Sequence, residues 1–519
     1  MATAINQTQL DNAIQAAITQ HLQDAGHTRP EAVDAVWTLL SGVLVFVMQL
    51  GFGLLEAGSI ESINSQSILF KNLLDISIVS IGWWSFGYSL STSTGDAFAG
   101  DGSEAFSEPG SDWTLLFFSW AFAATSATIV SGAVAGRILL RTYVTISIVM
   151  GWLLFPIYFH WAYATNGWLF EIGFIDFAGS GVVHLGGGMA ALVGSIIVGP
   201  RLSRFVYDYE ALKWVDKKPR GHSVMMSFVG TLLLWFGWYG FNAGSTLGVS
   251  DGRFVVASTC LFNTSLATSA SILTMSMIGA LMPGKFSLFD VMNAALAGLV
   301  TVTAGCATVS GWGAIICGIL AAPVYKLGST GIASMRIDDP VDAISVHGLC
   351  GALGLLLAGL LSQETLVIRA YGEDYISDFN VGRQLGVQIA GFLAIAGLTA
   401  VAMLLLLLPQ KYILGTVRIN EQDELVGNDY GYFGAHAYPD WDEMVRNAKM
   451  HDKRVAEIKR RKEKKDWELG KVTWTKGRTS RSGVRMEKSR EKSRDSKNLK
   501  ESTQNTSSHN PLPTQDVQI

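Results

Sequence analysis

Asp176-Phe-Ala-Gly-Ser-Gly-Val-Val-His184 has a counterpart later in the chain, Asp338-Asp339-Pro340-Val341-Asp342-Ala-Ile-Ser-Val-His347. Each histidine is followed four residues on by a glycine, Gly188 and Gly351. In both, an acidic residue stands where a helix would begin, and a carboxylate there caps exposed N–H groups and suits the helix dipole. The histidine comes one to two turns in. The glycine, a turn further, lets a second helix approach closely. Both units sit in apolar runs, where an ionisable side chain is costly and marks a candidate site. On that ground the candidates are Glu56, Asp176, His184, Asp342 and His347, with His160 nearer a helix end.

Around these units lie apolar segments of about 20 residues, the length that spans a bilayer. They fall near 35–58, 66–90, 113–136, 142–163, 178–199, 222–244, 254–281, 286–306, 309–327, 342–362 and 384–409. Composition agrees: of 519 residues, 49% are hydrophobic and only 16% charged, with 55 Gly and 15 Trp. A soluble domain carries about 25% charge. A disordered chain, a coiled coil and an ordinary cytosolic enzyme are thereby excluded. The expected fold is an all-α polytopic membrane protein of eleven transmembrane helices. The histidine units occupy the fifth and tenth spans, so segments 1–5 and 6–10 run in opposite senses. This inverted repeat of five helices would place a site at the repeat interface near the midplane.

Basic residues mark one side. Arg137, Arg141, Arg201, Arg204, Lys213, Lys217, Lys218, Arg220, Lys285, Lys326 and Arg336 fall in alternate loops. Loop 91–112 is acidic and has no Lys or Arg. The positive-inside rule puts the N-terminus outside and the C-terminus in the cytoplasm. The expected organisation is an extracellular segment 1–33, a membrane domain 34–410, a cytoplasmic region 411–445 and a basic tail 446–519. The chain after residue 440 holds 21 of the 39 Lys and Arg residues. Residues 1–33 admit a short amphipathic helix and carry a sequon at Asn6. Residues 446–468 read as a solvated helix and 476–519 as disordered. The run Lys459–Lys465 suits anionic lipid, and Arg490-Glu-Lys-Ser493 resembles a kinase site. Cys260, Cys306, Cys317 and Cys350 lack metal or disulfide spacing and read as inert thiols. No cofactor, metal or nucleic acid is expected.

Two readings of the histidines stand open at this point: a pair meeting on the pseudo-twofold axis, or two separate core residues bonded to carbonyls. The aromatic stretches Phe117–Phe122 and Phe236–Phe241 equally suit an interfacial belt.

Three stretches carry a resemblance: Asp176–Arg201, Trp238-Tyr-Gly-Phe241-Asn-Ala-Gly-Ser245 and Asp338–Gly351. Together, over roughly residues 35–440, they resemble the Amt side of the Amt/Mep/Rh ammonium transporter superfamily, in a eukaryote-like form. The resemblance implies a homotrimer with one pore per subunit, in the plasma membrane, taking ammonium and methylammonium. It implies that His184 and His347 are the twin pore histidines. It implies a recruitment site of Trp238, Ser245 and Tyr163 near Asp176, a gate of Phe122 and Phe241, and a structural acidic residue at Asp342. Tyr163 stands where the family usually has Trp, a weaker π face for a cation. Gly431 stands where plant members carry a phosphorylatable Thr. The first part of the tail would dock on neighbouring subunits.

The chemistry implied is selective transport, not catalysis. Ammonium has four N–H donors and potassium none, so an outer cup of acceptors can tell them apart. Removing the proton spares the cost of a bare cation in an apolar pore. Facing imidazoles would share a proton and titrate as a pair. Two alternatives stand beside this: an electroneutral Rh-like channel for ammonia or carbon dioxide, and an ammonium sensor signalling through the tail. Nothing in the sequence resembles an enzyme's nucleophile with its base.

Overall fold

The structure is a computed structural model. It describes residues 15, 30–106, 112–202, 204–208, 213–219, 221–281, 287–376 and 379–438. These lie in one compact unit, Met1–Tyr438. The second unit, Pro439–Ile519, lies outside the described residues. So do the Asn6 sequon, most of the proposed N-terminal helix, Arg220, Lys285 and the basic tail.

The apolar runs form helices near the expected positions. They are α1 (Pro30–Ser59), α2 (Ser65–Gly82), α3 (Trp113–Ala133), α4 (Leu140–Ile148), α5 (Gly186–Val198), α6 (Val224–Gly244), α7 (Arg253–Leu281), α8 (Leu288–Thr303), α9 (Gly311–Ser334), α10 (Cys350–Leu361) and α11 (Val381–Tyr412). The π turn Val149–Leu154 and the helix Phe155–Tyr163 continue α4, and the π turns Ser180–Leu185 and Ile344–Leu349 precede α5 and α10. Among the described residues, nine helical stretches are long and apolar enough to cross a membrane. Of the remaining two, α2 continues through a π turn (Trp83–Gly87) into Tyr88–Thr92, and α8 is shorter, with 16 residues. The chain is thus a mainly helical polytopic membrane protein.

Burial is graded as in a bundle placed in lipid. Some 83% of the apolar window containing α5 is buried, against 28% for α7 and 33% for α11. Leu50, Leu73, Leu273, Met277, Leu393 and Leu405 point outward. A soluble protein rarely exposes so continuous an apolar surface. α1 and α6, the first helices of the two halves, pack along one another. Small residues permit it: a Cβ on Gly51, Gly230 or Gly237 would fall within 2.8 Å of the opposite helix. This is the close approach that small residues give membrane helices.

One end of the bundle is held by buried ions. Arg201 donates through Nε to Asp338 Oδ2 (2.7 Å) and through Nη2 to Oδ1 (3.0 Å). Arg204 lies 3.2 Å from the same carboxylate, and Arg137 donates to the Asp338 carbonyl and the Gly199 carbonyl. Arginines read from sequence as loop charges are therefore buried clamps joining the two halves. Burial alone would raise the Asp338 carboxyl. The Arg201 hydrogen bonds and the Arg137 and Arg201 charges outweigh it and hold the group well below the usual carboxylate range.

One feature departs from the all-α expectation. A two-stranded antiparallel hairpin, β1 (Phe205–Asp208) with β2 (Lys213–Asp216), lies in the basic loop between α5 and α6. α11 runs to Tyr412, and residues as far as Tyr438 stay in the same unit. They are tied under the bundle: Glu424 accepts from Arg418 and from the Leu202 amide (2.7 Å), and Asp429 caps the Gln66 and Ser67 amides at 2.9 and 2.8 Å.

Candidate functional site

The two histidine units are built alike. Each helix opens with a π turn, Ser180–Leu185 before α5 and Ile344–Leu349 before α10, and the histidine lies within it. A π turn widens the helix locally and is common at functional sites. Asp176 Oδ2 accepts from the Gly181 and Val182 amides at 2.9 and 3.0 Å. In the second unit the matching carboxylate is Asp339, whose Oδ2 accepts from the Ile344 amide at 2.7 Å. Both stand eight residues before their histidine. That equal spacing is legible in the sequence and identifies Asp339, not Asp342, as the counterpart of Asp176.

Asp342 has a different place. Its backbone is left-handed (φ 60°), a conformation that Asp tolerates better than most residues. Its carboxylate accepts from Lys218 (3.1 Å), Ser329 (2.8 Å) and Asn293 (3.2 Å). It joins loop, α8 and α9 at the arginine-rich end, away from the histidine rings.

The glycines do what their spacing predicts. A Cβ on Gly188 would lie 2.2 Å from the Gly348 amide nitrogen, and one on Gly351 would lie 2.7 Å from the Ser180 carbonyl. The two units therefore cross backbone to backbone. The crossing brings the histidines together: His184 Nδ1 and His347 Nδ1 are 3.2 Å apart, with ring centroids 5.2 Å apart and planes 23° from parallel. The separate-histidine alternative is thereby removed. Both rings are buried. His184 Nε2 has no hydrogen-bond partner among the described residues.

An aromatic column continues from this pair. Trp238 stacks on His184 (5.0 Å, 14°), Phe241 lies 5.4 Å from it, and Phe122 stacks on Phe241 at 4.0 Å and 19°. Phe118 adds a ring 4.7 Å from Phe122. Ser245, one turn beyond Phe241, is half-buried and donates to the Phe241 carbonyl at 2.9 Å. The Tyr163 hydroxyl donates to the Asp176 carbonyl at 2.9 Å.

This geometry corrects one grouping. Trp238 is not beside Ser245: the seven positions that separate them rise about 10 Å along a helix. Trp238 lies at the histidine level, entirely buried, with Nε1 donating to Thr303 Oγ1 at 2.8 Å. Sequence spacing on α6 gave the rise but not the neighbour, because the partners come from α5 and α8.

Sequence reasoning also missed Lys71 and Asp75. Both lie in an expected span, and the cost of a charge there was signal enough to find them. They are 4% and 0% exposed.

The chain matches the family model described as Ammonium Transporter Family over residues 36–438. It is 34% identical over 451 residues to Ammonium transporter 1 member 3 of Solanum lycopersicum, covering 81% of this chain and 96% of that protein. Among solved structures, it is similar to the Sensor Amt Protein, with TM-score 0.71, 29% identity, and 78% and 99% of the two chains covered. It is also similar to Mep2 of Candida albicans, with TM-score 0.66, 28% identity, and 75% and 87% covered.

Proposed function

The chain belongs to the ammonium transporter family, and on that premise we propose that it carries ammonium across a membrane through the pore that holds His184 and His347. In this reading all eleven helices cross the bilayer as an inverted repeat. The arginine-rich end faces the cytoplasm, the N-terminus lies outside, and the protein is a plasma-membrane homotrimer.

Ammonium arrives at the outer end, where Ser245 offers an oxygen and Phe122 and Tyr163 offer π faces. Asp176 acts through the backbone, holding the turn that carries His184 and adding its field to the cup. The cation loses a proton there, since passing a full charge between stacked Phe122 and Phe241 is costly. Neutral ammonia then moves along the histidine edges. The histidines share one proton between facing nitrogens, so their outward nitrogens take complementary donor and acceptor roles. The proton passes separately, and the net event carries charge. Potassium has no proton to lose and is stopped by the same desolvation cost.

The observation that carries this reading is the 3.2 Å contact between His184 and His347, in line with the Phe122–Phe241 stack. The test is an ammonium pulse on the purified chain in proteoliposomes, with current and lumenal pH recorded together and potassium as control ion. A saturable ammonium current that potassium does not give supports electrogenic transport. Alkalinisation without current would replace it by neutral ammonia conduction.

A sensor reading is favoured by one observation, the likeness to a solved structure titled Sensor Amt Protein. It requires ammonium-dependent partner binding in a variant that no longer transports. Docking of residues 411–445 on neighbouring subunits, and lipid or kinase contacts of the tail 446–519, complete the proposed organisation.

A further inference from the structure

The histidine pore leaves one group of buried ionisable side chains without a task. Lys71 stands within electrostatic range of two carboxylates, Glu56 and Asp75. Asp75 is closed off: one oxygen accepts from the Tyr143 hydroxyl and the other from the Ser147 hydroxyl. Lys71 Nζ donates to the Ser131 carbonyl at 3.4 Å and sits over the Tyr143 ring.

Glu56 is different. Its Oε2 accepts from Asn72 and from Ser131, each at 2.8 Å. Its Oε1 has no donor among the described residues, although the residue is only 2% exposed. The side chain lines a cavity whose wall also includes His347, Phe52, Ile129, Leu296 and Val346. Val341 and Ala343 of the same wall place this cavity between His347 and the arginine-rich end.

Charge counting makes the free oxygen matter. Two carboxylates stand against the Lys71 ammonium; the further cation in range, Arg137, is set against Asp338, so one negative charge is left over, and an uncompensated charge in such surroundings is strongly unfavourable. A proton or a cation at one carboxylate removes it. Asp75 has both oxygens engaged and no cavity beside it among those described. Glu56 has an oxygen to spare and lines, with His347, the same cavity.

We propose that Glu56 is the inner proton-transfer residue of this pore. Ammonia that has passed the histidine pair takes the proton of the Glu56 carboxylic acid and becomes ammonium, leaving a carboxylate. The carboxylate recovers a proton through His347. That proton is the one released from ammonium at the outer end and handed across the facing nitrogens. One proton leaves the substrate and one returns, so the balance closes. The inference rests on the transport reading above and deepens it.

The test uses the full chain in proteoliposomes, with ammonium current and lumenal alkalinisation recorded together for wild type, Glu56→Gln and Glu56→Asp. Glutamine keeps the acceptor for Asn72 and Ser131 but has no proton to give. Its current should fall roughly tenfold while lumenal alkalinisation grows relative to current, below the ~100-fold of a typical positioned donor because inner water substitutes in part. Glu56→Asp should recover part of the current. A Gln variant that keeps the wild-type ratio of current to alkalinisation, at whatever rate, overturns the proposal. Should the Gln variant not fold, the ammonium-induced infrared difference spectrum of the wild type decides. Loss of a carboxylic C=O band on ammonium addition is required, and its absence refutes the role. A wild type silent in both current and pH would instead refute the transport reading, before Glu56 is reached.

Discussion

His184 and His347 face one another through Nδ1, and this leaves each ring one nitrogen for the pore. Replacing either by Ala removes the shared proton, and selective ammonium flux should be lost or potassium admitted. Flux assays on both single variants check this, and unchanged rate and selectivity in both would exclude the twin-histidine mechanism. Tyr163 separates two roles by chemistry. Tyr163→Phe keeps the π face but removes the donor to the Asp176 carbonyl. It should cost about 0.5–1.5 kcal/mol of stability and leave competition by methylammonium nearly unchanged, as melting and uptake measurements on one preparation would show. At this scale the sequence disclosed the histidines, since an ionisable group in an apolar run stands out. It did not disclose the aromatic stacking order. Trp238 and Ser245 share one helix, and their separation into two levels depends on α5 and α8.

The two π-turned entries to α5 and α10 act as one crossed pair, and their contact is set by Gly188 and Gly351. A Cβ on Gly188 would meet main chain, which cannot rotate away. Gly188→Ala should therefore destabilise by about 1–3 kcal/mol or more and separate the histidines. Loss of selectivity along with melting temperature would report both effects. The Asp338–Arg201–Arg204 clamp binds the arginine-rich ends of the same elements. Because the folded carboxyl of Asp338 titrates below its ordinary value of 3.8, its contribution is complete above that pH. It is lost as acid takes the pH down through the folded value. Asp338→Asn leaves two buried guanidinium groups undercompensated and should cost about 3–5 kcal/mol. A melt at neutral pH shows the cost, and the variant should lack the wild type's loss of stability below about pH 4. Helix positions were legible because apolar run length is fixed by bilayer thickness. The Asp339 cap was legible too, in the eight-residue spacing shared with Asp176. The β1–β2 hairpin was not, because its strands are four residues long and carry no periodic signal beyond their turn.

For the molecule as a whole, the described chain ends in a segment bound to the rest of the unit through Glu424 on the Leu202 amide, the Asp429 caps and Tyr438 on His222. Truncation after Tyr438 should leave melting temperature and ammonium current close to wild type. Truncation after Tyr412 removes those ties and exposes the Gln66 and Ser67 amides. It should lower the melting temperature measurably and weaken the current, and equal behaviour of the two truncations would contradict this. The amino-acid sequence by itself determined the class, the helix positions and the candidate polar groups. Each is a local consequence of burying a chain in hydrocarbon: run length, the cost of an isolated charge, and glycine where backbones meet. Only the tertiary structure decided which polar groups face which. The histidines meet, Asp342 ties a loop to α8 and α9, and Trp238 lies at the histidine level. Glu56, not Asp75, keeps an oxygen for the cavity. Those choices depend on contacts between residues tens to hundreds of positions apart, where a difference of one helical turn changes the neighbour and leaves the pattern of apolar residues intact.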